Sequence, residues 1–202
     1  MTDALFRSLA GNLSRGPLYQ RLAKSVNAEV RPLTSTLVLG GARSGKSAYA
    51  LRSAEAGGRR PVMIATAQAL DAEMAERIAR HRAERGRAWR TIEAPLDLSG
   101  ALAEIAADET AVIDCLTLWV SNLMHAERDV PRETERLIAA MRGKELLLVA
   151  NEVGLGVVPD NALARRFRDE AGRVNQAIAA AADRVVFLAA GLPLALKEPS
   201  RG

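Results

Sequence analysis

A chain of 202 residues is long enough for one globular domain that buries roughly 70% of the surface exposed by its unfolded chain. Only 3% of the residues are aromatic, so the core must consist mainly of aliphatic side chains. No run of 18 apolar residues occurs, which excludes a membrane-spanning helix. The single cysteine, Cys115, excludes an internal disulfide and suits a reducing compartment, so we expect a cytoplasmic protein.

The net charge of +4 is concentrated at the N terminus. Residues 1–33 contain five cations and two anions, a net of +3, which leaves the rest of the chain close to neutral. Because proteins that bind polyanions present a basic surface, we expect no nucleic-acid partner. Residues 1–35 precede the first predicted strand and are expected to form a separate, partly disordered extension. A transit-peptide-like segment and an incorrectly assigned start codon are the other interpretations that we consider.

From Thr36 onward, short aliphatic runs alternate with stretches of helical composition. Strands are predicted over 36–39, 61–65, 89–93, 111–115, 145–150, 184–189 and 192–196. Helices are predicted over 48–56, 70–85, 96–107, 118–126, 132–141 and 161–182. Nearly continuous apolar strands between helices are typical of a parallel sheet with both faces covered. The sequence therefore predicts an α/β domain over 36–197 with a mainly parallel central sheet, followed by a tail over 198–202.

The first strand leads directly into a glycine-rich turn and then into a helix, which is the context that a phosphate-binding loop requires. Glycines let successive backbone N–H groups face an anion, and the helix N terminus adds the positive end of its dipole. The predicted phosphate contacts are Gly40, Gly41, Ala42, Arg43, Ser44, Gly45, Lys46 and Ser47. Lys46 is expected to reach the β- and γ-phosphates and to face solvent when no nucleotide is bound. The Ser47 hydroxyl is expected to bind Mg²⁺.

Asp114 is the candidate for a second metal ligand, because it lies at the carboxyl end of a buried strand. Open parallel sheets bind their ligands at that edge, and enzymes with a phosphate loop hold Mg²⁺ there with an acidic residue. The structural alternative is that Asp114 caps the helix that begins near Leu116 or Thr117.

The two histidines of the chain have different surroundings. His81 lies at the edge of the apolar stripe of the predicted helix 70–85 and is surrounded by Arg80, Arg82 and Arg85. Neighbouring cations disfavour a protonated imidazole and can bind phosphate, so His81 could act as a nucleophile. The residues alone favour a histidine on a solvated helix. His125 has no charged neighbours in sequence and is interpreted as structural.

The sequence alone does not identify the base of the nucleotide. GTPases with a phosphate loop usually carry an Asn/Thr-Lys-x-Asp motif after a later strand. The equivalent segment here is Val149-Ala-Asn-Glu-Val-Gly154, which has no lysine.

Taken together, these motifs resemble one family, that of the bifunctional adenosylcobinamide kinase and adenosylcobinamide-phosphate guanylyltransferase of cobalamin biosynthesis. The resemblance covers about Leu37 to Lys197. Besides the phosphate loop, it is carried by Ile64-Ala-Thr-Ala-Gln68, the Asp71–Arg82 helix, Trp89-Arg-Thr-Ile-Glu93, Asp114-Cys-Leu-Thr117, Asn151–Pro159 and Leu163–Gln176. The last two segments are the longest and most specific.

The resemblance implies a RecA-like P-loop NTPase fold and two successive reactions. ATP or GTP phosphorylates the aminopropanol hydroxyl of adenosylcobinamide, and GTP then guanylylates an enzyme histidine, from which adenosylcobinamide phosphate takes the GMP. The family histidine corresponds to His81, which reverses the interpretation from the residues alone. The family's nucleotide-contacting positions correspond to Thr66, Ala67, Gln68, Arg82 and Glu93. A homo-oligomer, often a trimer, is also implied.

Two departures from the family pattern make the base contacts less certain. Ala67 stands where the family often has serine, and Arg80 stands where some members have a second histidine. Two other interpretations remain. One is a P-loop small-molecule kinase with a single activity and an inert His81. The other is a RecA-like ATPase or regulatory switch that binds a macromolecule.

Overall fold

A seven-stranded sheet forms the centre of the described domain, with the strand order β3-β2-β4-β5-β1-β6-β7. The computed structural model describes residues 34–68, 76, 86 and 88–199. The strands are β1 (Ser35–Gly40), β2 (Arg60–Ala65), β3 (Arg90–Glu93), β4 (Glu109–Asp114), β5 (Glu145–Asn151), β6 (Arg184–Ala189) and β7 (Leu192–Lys197). All pairs are parallel except β6 with β7, so the prediction of a mainly parallel sheet is confirmed.

The described helices are α1 (Lys46–Ala56), α2 (Leu98–Ala103), α3 (Leu116–His125), α4 (Val130–Met141) and α5 (Ala162–Ala181). None of them is long and apolar enough to cross a membrane. Apart from residue 76, the predicted helix over 70–85 lies outside the described residues, as does most of the predicted N-terminal extension. The last predicted strand, over 192–196, is present as β7 and is the antiparallel edge strand of the sheet.

Alternating side chains of the strands build a separate apolar core on each face of the sheet. On one face Leu37 and Leu39 of β1 pack in a cluster with residues of α2, α3, α4 and α5. On the other face Val38 packs in a second cluster with Ala50 and Ala54 of α1. This is why β1 is apolar without interruption: both of its faces are buried. Helices on both faces were predicted and are confirmed.

The predicted helix over 96–107 is shorter in the structure. Asp97 caps its start, accepting a hydrogen bond from the Gly100 N–H at 2.9 Å. Its last turn ends in short-range bonds, with the Ile105 N–H donating to the Leu102 carbonyl. The Glu109 carboxylate accepts the next free N–H, that of Ala106, at 3.0 Å, and β4 begins at Glu109. A carboxylate from the following strand therefore binds a backbone group that a longer helix would have used.

Candidate active site

The carboxyl ends of β1, β2, β4 and β5 meet at one edge of the sheet. The strand register sets Gly40 beside Asn151 and Ala65 beside Asp114. The phosphate loop leaves β1 at this edge and enters α1, so the predicted loop and the predicted metal ligand share one end of the sheet. Together with the parallel topology, this is the P-loop NTPase fold that the sequence predicts.

Two glycines of the phosphate loop have backbone conformations or surroundings that a side chain would disturb. Gly40 has φ +152°, and a Cβ atom there would lie 2.4 Å from the Leu188 carbonyl oxygen and 2.7 Å from Ser44 Oγ. Gly45 has φ +96° at the N-cap of α1, a left-handed conformation that favours glycine. The glycines at these two positions of the predicted loop are therefore required by close contacts at Gly40 and by backbone conformation at Gly45.

Lys46 is buried, with 7% of its surface exposed, and the expectation that it faces solvent is wrong. Its Nζ donates a hydrogen bond to the Gly41 carbonyl oxygen at 2.6 Å, which closes the loop over the lysine side chain. Burial lowers the pKa of the Lys46 ammonium, and the negative charge of Asp114 opposes this shift. Lys46 begins α1 directly after the phosphate loop, and Asp114 ends β4 at the same end of the sheet.

The turn between β6 and β7 supports the phosphate loop from outside. The Gly191 N–H donates to the Ser44 carbonyl at 3.0 Å, and the Ser44 N–H donates to the Gly41 carbonyl at 3.3 Å. The Ser44 hydroxyl is buried without a hydrogen-bond partner. A buried hydroxyl in a phosphate-binding loop fits a site whose ligand supplies acceptor oxygens.

Asp114 does not cap α3, which was the structural alternative to its role as a metal ligand. The N-cap position of α3 is occupied by Cys115, and that cap has no side-chain hydrogen bond. Asp114 instead ends β4, half-buried, at the edge that carries the phosphate loop. Burial raises the pKa of the Cys115 thiol to about 11, so this cysteine is a protonated packing residue and no nucleophile at neutral pH.

The oxygen atoms of Ser47 and Asp114 are the kind of ligand that Mg²⁺ prefers, so the residues present fit this ion. Among the described residues, no cluster of three or more His, Cys, Asp or Glu side chains could hold a metal by itself. A magnesium ion at this edge would therefore take its other ligands from water and from the triphosphate, as Mg²⁺ commonly does.

Thr66, a predicted nucleotide contact, is fully buried and bonded within the protein. Its hydroxyl donates to the Cys115 carbonyl and accepts from the Cys115 N–H, both at 2.8 Å. Its carbonyl accepts from Asn122 Nδ2, also at 2.8 Å. The Thr66 side chain therefore joins the ends of β2 and β4, and Gln68 is the exposed side chain of this segment.

The remaining predicted contacts are only partly described. Glu93 ends β3 and is exposed, and its strand register sets it beside Ala65. His81 and Arg82 lie outside the described residues. His125 ends α3 with its Nδ1 2.7 Å from the Ser121 carbonyl oxygen, which agrees with a structural role.

No individual role was predicted from the sequence for the residues at the end of β5. Glu152 follows β5 directly, and its N–H donates to the Gly40 carbonyl at 3.0 Å. The sequence could have indicated Glu152. Asp114 was chosen because it is an acidic residue at the end of a buried apolar strand, and Glu152 has a similar position relative to β5. Asn122 has no comparable signal, since its role depends on carbonyl groups of distant segments.

Comparison with known proteins places these features in one family. The CobU family model, described as cobinamide kinase / cobinamide phosphate guanyltransferase, matches residues 36–196. The chain is 48% identical to the bifunctional adenosylcobalamin biosynthesis protein CobP of Pseudomonas aeruginosa, over 80% of this chain and 96% of that protein. It is 43% identical to the corresponding protein CobU of Salmonella typhimurium, over 80% of this chain and 98% of that protein.

A solved structure from Pyrococcus horikoshii OT3 resembles this fold with a TM-score of 0.50 and 8% identity, over 89% of this chain and 93% of that one. That likeness concerns the fold alone. The family match, in contrast, includes the phosphate loop and Asp114, and it extends over most of the chain. This protein therefore belongs to the cobinamide kinase / cobinamide phosphate guanyltransferase family.

Proposed function

We propose that the protein phosphorylates adenosylcobinamide with ATP or GTP and then transfers GMP from GTP to the product, giving adenosylcobinamide-GDP. The observation that carries this proposal is the family match of a chain in which the phosphate loop, Lys46 and Asp114 lie at one end of the sheet. Both reactions begin with a nucleoside triphosphate, so a single such site can serve both.

In the kinase step the corrinoid hydroxyl attacks the γ-phosphorus. The backbone N–H groups of the loop and the Lys46 ammonium hold the β- and γ-phosphates and stabilise the charge that develops on them. Ser47 and Asp114 would hold Mg²⁺, which offsets the negative charge of the triphosphate. The chemistry requires positioning and charge stabilisation, and no enzyme nucleophile.

In the guanylyl step an imidazole nitrogen of His81 attacks the α-phosphorus of GTP and pyrophosphate leaves. A phosphate oxygen of adenosylcobinamide phosphate then attacks the same phosphorus and releases the imidazole. Such a covalent intermediate divides one difficult transfer into two easier ones. Arg82 adjoins His81 in sequence and is the proposed charge partner of the reacting phosphate.

Incubation with α-³²P-labelled GTP followed by denaturing electrophoresis tests the guanylyl step. Acid-labile, base-stable label on the protein is the expected result. His81→Asn keeps polarity and approximate size but removes the nucleophilic nitrogen. This variant should take no label and accumulate adenosylcobinamide phosphate. Formation of adenosylcobinamide-GDP by it at a near-normal rate would contradict the covalent route.

The same experiment separates the alternatives. A kinase with a single activity would phosphorylate adenosylcobinamide without ever becoming labelled. A RecA-like ATPase or switch would do neither and would hydrolyse nucleotide in response to a macromolecule.

We also propose that the chain forms a homo-oligomer, with a trimer as the first arrangement to test. Three leucines of the edge strand β7, Leu192, Leu194 and Leu196, are exposed. Contiguous apolar surface of this kind is typical of protein contacts. Light scattering on the purified protein gives the number of subunits, and a monomer at micromolar concentration would contradict the proposal.

A further inference from the structure

A cavity of about 660 Å³ lies between the end of β5 and the middle of α5. Its volume is typical of a small-molecule site. Residues that matter for its chemistry include Glu152, Gly154, Arg168 and Asn175. None of the residues predicted from the sequence to bind nucleotide or metal lines it.

The cavity adjoins the phosphate loop. Leu39, the residue before Gly40, forms part of its wall. Glu152, on the same wall, is hydrogen-bonded through its N–H to the Gly40 carbonyl. Helix α5 packs on the face of the sheet opposite to α1, so the cavity and the helix of the phosphate loop lie on different faces of the same edge.

The end of β5 is fixed from both sides. The Asn151 N–H donates to Thr117 Oγ1 at 2.7 Å, and Asn175 Nδ2 donates to the Asn151 carbonyl at 3.2 Å. Glu152 Oε1 accepts a hydrogen bond from the Gly154 N–H at 2.8 Å. Both the backbone and the carboxylate of Glu152 are therefore held at the cavity wall.

The polar lining of the cavity suits an alcohol that becomes a phosphate ester. Asn175 is buried, and Arg168 has a side chain that is only 24% exposed. The Arg168 guanidinium lies 3.3 Å from the carboxylate of its neighbour Asp169. A half-buried guanidinium is a strong partner for phosphate oxygens.

We propose that this cavity receives the alcohol of the kinase step and that the Glu152 carboxylate accepts its hydroxyl proton. This inference rests on the proposed function and adds the acceptor site to it. As the hydroxyl oxygen bonds to the γ-phosphorus, the bond from that phosphorus to the β–γ bridging oxygen breaks. The nucleoside diphosphate leaves with the electron pair, and Glu152 carries the proton until water removes it.

Glu152→Gln tests this role because the amide oxygen can still accept the Gly154 N–H. The kinase rate, followed as transfer from γ-³²P-labelled GTP to adenosylcobinamide, should fall at least about 100-fold. Labelling of the protein by α-³²P-labelled GTP should stay within about threefold of wild type, since that step uses no corrinoid hydroxyl. Asp160→Asn removes a carboxylate from the same β5–α5 connection without touching the cavity lining, and it should retain wild-type kinase activity.

The outcomes separate this inference from the function on which it rests. If wild-type protein neither phosphorylates adenosylcobinamide nor becomes labelled, the proposed function fails. If wild type does both and Glu152→Gln keeps its kinase rate within about threefold, Glu152 is only a loop residue and the inference is overturned. An equal loss of both activities with unchanged nucleotide affinity would also overturn it. Glu152→Asp, which keeps a carboxylate, should recover part of the lost rate.

Discussion

The phosphate loop and the cavity beside α5 adjoin each other at one sheet edge, yet they are built in different ways. The loop is a single segment, closed on itself by Lys46, with no room for even a methyl group at Gly40. The cavity is open, takes its walls from three separate parts of the chain, and has free space around Gly172. A triphosphate presents the same oxygens in every nucleotide, so a contiguous backbone segment can enclose it. The alcohol that accepts the phosphate has no such repeated set of oxygens, so its binding requires side chains from distant segments.

The largest expected effect comes from Lys46→Ala in the phosphate loop, the more closely packed of the two regions. Loss of the ammonium should reduce both the kinase and the guanylyl rates by roughly 1,000-fold, because one triphosphate site serves both steps. Steady-state assays of each reaction measure this. Lys144→Ala is the control, since Lys144 binds the Ile105 carbonyl at the opposite end of β5. Kinase turnover within about tenfold of wild type would contradict the assignment of both reactions to one triphosphate site that contains Lys46.

Asp114→Asn should have the next largest effect. The amide keeps the shape of the side chain but loses the negative charge that a hard cation prefers. The Mg²⁺ concentration required for half-maximal activity should therefore rise at least about tenfold in both reactions, with little change in melting temperature. A magnesium titration at saturating GTP measures this. An unchanged titration would remove Asp114 from the metal site and leave it as a residue that only ends β4.

A matched pair of glycine substitutions gives the smallest effects and tests the contrast in packing directly. Gly40→Ala would force a methyl group against the Leu188 carbonyl and should destabilise the protein by about 1–3 kcal/mol. Gly172→Ala has open space and lies within α5, so helix propensity should stabilise the protein by up to about 1 kcal/mol. Thermal unfolding of both variants measures the difference. Equal effects would mean that the two regions do not differ in packing.

The alternation of apolar runs with helical stretches was sufficient to predict the sheet, because each strand carries its own signal. It also located the phosphate loop, whose glycines are required by local backbone geometry at Gly40 and Gly45. Helix α2 was predicted too long because its end depends on Glu109, a residue of the next strand.

The burial of Lys46 was missed for a related reason. A lysine in a glycine-rich turn suggests a solvated side chain, whereas its surroundings are set by Gly41 and by the end of β4. Thr66 was assigned a nucleotide contact by resemblance, yet its hydroxyl is bonded to Cys115, 49 positions away. Such pairings arise only when the sheet has formed, so periodicity cannot reveal them.

The hydrogen bond from Lys46 to Gly41 has a thermodynamic consequence for nucleotide affinity. A flexible loop loses conformational entropy when it closes around a ligand, and this loss weakens binding. Here the loop is already ordered by Lys46 from within and by Gly191 from outside. This conformational entropy is therefore lost when the protein folds and not when nucleotide binds. A triphosphate binds to a loop that is already ordered.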